Sequence, residues 1–110
     1  MAKEPPKRYV PKPYRWPDGA IDERAARRDG LLPVLRLLQQ AALEVRQKRG
    51  AIPQEALSMR AQLYKDAVNR LERGGAWIDL STFAAIVEAA RLRVAVFDPD
   101  EYELRRKKRD

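Results

Sequence analysis

The sequence predicts an all-α fold: a small three- to four-helix bundle with an extended Pro-rich N-terminal arm and a basic C-terminal tail. Three observations predict it. Apolar residues recur in alternating steps of four and three over three separate stretches, the spacing of a buried helical stripe. Pro, Gly and Asp stand at the ends of those stretches, where helices start and stop. Period-two alternation, the mark of a strand, is confined to a short stretch at 91–97.

Residues 1–19 read as the arm. Five of the eight prolines fall within the first 17 residues. Proline fixes φ, lacks an amide donor and pushes the preceding residue toward extended conformations. A helix is therefore excluded, and a stiff polyproline-like segment carrying rings and cations is expected. Asp18-Gly19 closes it with a turn signal.

The bundle is expected over 20–104, with helices at about 21–28, 31–49, 53–73, 80–97 and 99–108. The first is short and charged, and Asp29-Gly30 interrupts it. The second carries Leu31, Leu35, Leu38, Ala42 and Val45 on one stripe, with Pro33 in its first turn and Asp29 as its expected cap. Leu32, Val34, Leu37, Ala41 and Leu43 widen that apolar surface, so the face is either core or a self-association seam. The third helix opens at Ile52-Pro53, carries Leu57, Ala61, Tyr64, Val68 and Leu71, and stops at Gly74-Gly75. Trp77-Ile78 pins the following turn to the core. Asp79 or Ser81 caps the fourth helix, whose stripe is Phe83, Val87, Ala90, Val94 and Phe97. Asp98-Pro99-Asp100-Glu101 then reads as a new start, with a cap, a proline and a capping-box acid.

Composition narrows the chemistry. With 110 residues the chain is one domain plus tails. It has no cysteine and no histidine, which removes disulfide scaffolds, the usual zinc sites and histidine-based catalysis. No cofactor and no metal is expected; the acids at 98, 100 and 101 read as a helix cap rather than a cation loop. A soluble, non-enzymatic protein is expected, with no membrane contact.

The net charge is +7, and its excess lies at the ends. Lys3, Lys7, Arg8, Lys12 and Arg15 face only Glu4 in the first 17 residues, while the middle of the chain is nearly neutral. In the last ten residues Arg105, Arg106, Lys107, Lys108 and Arg109 outnumber three acids. Partner docking is assigned to Lys7, Arg8, Tyr9, Lys12, Tyr14, Arg15 and Trp16, whose rings fill pockets while the cations steer association. Contact with nucleic-acid phosphate or an acidic protein face is assigned to Arg24, Arg27, Arg28 and the 105–109 cations, with Arg46, Lys48 and Arg49 as further phosphate contacts. A sequence-reading helix-turn-helix is not expected, because the turn at 80–85 offers no Arg, Asn, Gln or Lys for base edges.

These features suggest a helical subunit or adaptor of a larger assembly, anchored to neighbouring subunits by its arm. The class matches small proteins of phage particles, DNA-packaging machinery or nucleoprotein effectors, in the cytoplasm or within such a particle. Homo-oligomers fit the width of the 31–45 face. The alternative is a free-standing, sequence-independent DNA- or RNA-binding regulator, which would bind with steep salt dependence.

Overall fold

The computed structural model describes residues 14–96, 98 and 100. Among them the fold is all-helical, with five helices and no strand: α1 (Glu23–Arg28), α2 (Leu32–Arg49), α3 (Gln54–Arg60), α4 (Ala67–Arg73) and α5 (Leu80–Ala89). Helix α2 is the centre of the packing and touches α1, α4 and α5, while α3 packs on α4 and α5. The expected helix over 99–108 lies outside the described residues, apart from Asp100, whose amide donates to Asp98 Oδ1 at 2.9 Å.

The stripe of α2 is core. Leu35, Leu38, Ala42 and Val45 are buried within this one chain, and Leu31 is packed half-buried against them. Val34, Leu37 and Leu43 stay exposed at the edges of that stripe, Val34 and Leu37 on one flank and Leu43 on the other. Asp29 does not cap α2. It is the C-cap of α1, and α2 begins after Leu31 with no side-chain cap and with Pro33 in its first turn. The cap of α1 is Asp22, which accepts from Ala25 N at 3.0 Å.

The helix expected over 53–73 is two helices. Helix α3 stops at Arg60, and α4 starts at Ala67. Ser58 is fully buried; its hydroxyl donates to the Gln54 carbonyl at 2.9 Å and accepts from Val68 N at 3.0 Å. The first turn of any helix has amides without intrahelical partners, and here a serine on the preceding helix satisfies one of them. Tyr64, expected on the buried stripe, is 87% exposed and Ala61 only half-buried, while Leu57, Val68 and Leu71 keep their core positions and Ala67 joins them. The helix expected over 80–97 likewise stops at Ala89, and Val94 is exposed; Phe97 lies outside the described residues.

Three helices end in the same way. The amides of Leu31, Leu63 and Leu92 reach back to the carbonyls of Ala26, Ser58 and Val87 at 2.7, 3.0 and 2.9 Å. The residue before each leucine is left-handed: Gly30 at φ 71°, Gln62 at φ 59° and Arg91 at φ 60°. This is the Schellman arrangement, and each leucine closes it by packing on the core. Glycine is the natural occupant of the left-handed position, since an L side chain there crowds its own carbonyl. Only α1 uses one.

Asp79 caps α5, accepting from Thr82 N at 2.8 Å, from Ser81 Oγ at 2.7 Å and from Thr82 Oγ1 at 3.1 Å. These donors, the Ser81 hydroxyl foremost, hold its carboxyl below the ordinary value of 3.8. A carboxyl depressed on folding stabilises fully above its unfolded pKa and loses that contribution as pH falls through the folded one. The urea midpoint is therefore expected to drop more below pH ~4 in the wild type than in Asp79→Asn, which keeps a capping oxygen without the titration. Parallel acid limbs in urea melts of the two proteins would contradict this role.

Candidate functional site

Two regions gather the chain's chemistry: the root of the arm and a cationic cavity on the body. At the root, Pro17-Asp18-Gly19-Ala20 makes the expected tight turn. Asp18 and Gly19 are at φ 53° and 76°, and Ala20 N donates to Pro17 O at 3.0 Å. Positive φ at both central residues is what an Asp-Gly turn of this type supplies.

Trp16, assigned to partner docking, is instead wholly buried in this chain's own core. Its indole Nε1 donates to the Leu71 carbonyl at 2.8 Å, one of the carbonyls that the end of α4 leaves without an intrahelical donor. Gln39 on α2 donates to the Trp16 carbonyl at 2.7 Å. The indole stacks at 6.3 Å on Trp77, which also meets the Tyr14 ring at 6.1 Å. Gly74 lets the segment come close: a Cβ there would stand 2.8 Å from Pro17 Cδ, and its φ of 72° suits glycine. Gly75 N donates to the Tyr14 carbonyl at 3.2 Å. A large aromatic with a polar edge gains more from a dry core with one acceptor than from solvent, and the prolines before it do not prevent that.

Tyr14 is half-buried, and its hydroxyl donates to Asp29. Asp29 also pairs with Arg28 Nε at 3.2 Å, and the two donors hold its carboxyl below the ordinary range. Arg15 is exposed, as are Arg24, Arg27 and Arg28 on α1. Lys7, Arg8, Tyr9, Lys12, Arg105, Arg106, Lys107, Lys108 and Arg109 lie outside the described residues. The arm that the sequence suggested over 1–19 therefore has its last six residues, 14–19, built into the body.

The second region is a cavity of about 420 Å³ where the C-terminal ends of α2, α3 and α5 meet. Lys48, Arg49, Arg60 and Arg91 line it over a floor that includes Leu57 and Ala90, and no carboxylate is among its lining residues. Arg49 is already engaged. It makes a two-pronged pair with Glu72 on α4 at 2.6 and 2.8 Å and donates to the Ile52 carbonyl at 3.1 Å. Gln54 adds a donor to Glu72 at 3.2 Å and accepts from Asn69 at 2.9 Å, which ties α2, α3 and α4 together. Lys48, Arg60 and Arg91 are exposed and make no ion pair among the described residues.

Sequence reasoning named Lys48 and Arg49 as phosphate contacts but missed Arg60 and Arg91. Neither was legible, because the expected helices over 53–73 and 80–97 ran through both positions and gave no sign that a helix ends there. Among the described residues no group of acids gathers to hold a metal ion, and no helix is long and apolar enough to cross a membrane.

The fold and these two regions define the class no more finely than an all-helical globule with a clamped N-terminal segment and a cationic hollow. Comparison with protein-family models, with curated proteins and with solved structures returns no match.

Proposed function

We propose that the protein is a non-enzymatic helical subunit of a nucleic-acid-containing assembly, held to a neighbouring subunit by residues 1–13. The observation that carries this reading is the clamped root. Trp16 sits in the core, and Tyr14 is held by Gly75 N and Asp29, so the preceding chain departs from one defined point on a packed body. Those preceding residues hold Tyr9 between prolines, with Lys3, Lys7, Arg8 and Lys12 against one acid. A ring set in proline-restricted backbone loses little entropy on docking, and the cations speed encounter with an acidic partner. The exposed side chains Val34 and Leu37, one turn apart on α2, offer a protein neighbour a small apolar patch beside the polar surface. The exposed arginines of α1 add phosphate contacts.

Removal of residues 1–13 tests the reading, since it spares Tyr14 and Trp16. The truncated protein is expected to keep its helical circular dichroism and its melting temperature. In size-exclusion chromatography of lysate from the native cells, the tagged full chain should elute in a large, nuclease-sensitive assembly and the truncated chain near its monomer mass. Elution of the full chain at monomer mass, with and without nuclease, contradicts the proposal.

A further inference from the structure

We propose that the cationic cavity at the ends of α2, α3 and α5 seats a backbone phosphate of a nucleic acid, with Lys48, Arg60 and Arg91 as the contacting groups. The inference rests on the nucleoprotein reading above and assigns it a place on the body.

The cavity brings together three cations from three helices, and none of them has a carboxylate partner among the described residues. Each lies near the end of its own helix, where a positive charge suits the dipole. That local benefit explains a cation at each end, and it asks for no particular gathering. It also gives no reason for an arginine at Arg91, which sits at φ 60° where glycine is the less strained residue. Arg91 thus keeps a guanidinium on the cavity at a position where glycine would end the helix with less strain.

Arg49 contributes rigidity. Its guanidinium is fixed by Glu72 and the Ile52 carbonyl, so the wall beside Lys48 is set before any ligand arrives. The floor at Leu57 and Ala90 is apolar, which suits the carbon face of a sugar next to its phosphate. With Lys48, Arg60 and Arg91 around it and no carboxylate lining it, the local field of the cavity draws anions. The cavity has no aromatic lining on which a base would stack, so recognition through phosphate, without sequence preference, is the mode that fits.

The test uses the full chain, a fluorescein-labelled oligothymidine and a mixed-sequence duplex, with anisotropy read across a salt series. Arg91→Gly is the informative variant because it removes the charge while relieving the backbone. It should melt no lower than the wild type, yet bind ~3- to 10-fold more weakly, with a shallower log–log salt slope. Gln62→Gly relieves the same strain on α3 without touching the cavity, and should raise the melting temperature with affinity and slope unchanged. Lys48→Gln, Arg60→Gln and Arg91→Gly together should weaken binding further and lower the slope by about 1 in all, the single phosphate that the cavity seats. If the wild type binds and these variants keep its slope, the cavity is not the seat, although the nucleoprotein reading stands through other cations. If the wild type binds neither nucleic acid at low salt, both readings fall. Competition by polyglutamate as strong as that by nucleic acid overturns the phosphate assignment in favour of an acidic protein face.

Discussion

Trp16→Ala is expected to cost about 3–5 kcal/mol, a large part of the stability of a domain this size. The indole is fully buried and fills the space between α2, the end of α4 and Trp77, so its removal leaves a cavity that the packed helices cannot close. The Leu71 carbonyl loses its donor in the same step. Trp16→Phe separates the two effects: it keeps most of the apolar volume and forfeits the hydrogen bond, for a loss of about 1–3 kcal/mol. Urea unfolding followed by circular dichroism measures both. A tryptophan that served only a partner would give melts like the wild type for either variant. Deletion of 1–13 and substitution of Trp16 are thus expected to behave in opposite ways, one sparing the fold and the other weakening it. A cut after residue 17 would mix the two, removing a core side chain together with the docking segment.

The second large effect is expected at Glu72. Its carboxylate is 6% exposed and Arg49 is 16% exposed, and the pair joins the last turn of α2 to α4. Glu72→Ala leaves a guanidinium in a largely dry site and strips Gln54 of its acceptor. Removal of one partner of a buried pair costs more than the pair contributes, because the remaining charge keeps its desolvation penalty. A loss of about 2–4 kcal/mol is expected, somewhat below that of a wholly enclosed pair. Arg49→Met combined with Glu72→Leu should recover much of it, since neither charge then remains to be solvated. A double-mutant cycle in urea reads the coupling directly. Additive losses would mean that the two side chains act independently, in conflict with the two-pronged geometry. Salt should change the wild-type stability little, because the pair is screened from solvent ions.

The two sites differ in how far the sequence revealed them. For α2 the stripe, the proline in the first turn and the closing Gly50 were legible, because all three are local consequences of helical spacing and terminal chemistry. The cap of α5 was legible as Asp79 or Ser81 for the same reason, and the structure uses Asp79. The break between α3 and α4 was not. The four-three stepping continues through it, and the left-handed residue that ends α3 is Gln62, which carries no glycine signal. What breaks the helix is Ser58 accepting from Val68 N, a contact ten residues apart. Trp16 misled for a related reason: prolines mark backbone that cannot be helical, and they say nothing about whether a ring between them is buried.

By itself the sequence determined the all-helical class, the inward faces of α2, α4 and α5, and the placement of excess charge toward the chain's ends. Those follow from the 3.6-residue period and from composition, which neighbouring residues fully specify. Only the tertiary structure decided that Trp16 closes the core, that Arg49 and Glu72 lock α2 to α4, and that Lys48, Arg60 and Arg91 face one hollow. Each depends on groups distant in the chain coming within bonding reach, and the packing of helices sets that reach, not the pattern along any one of them.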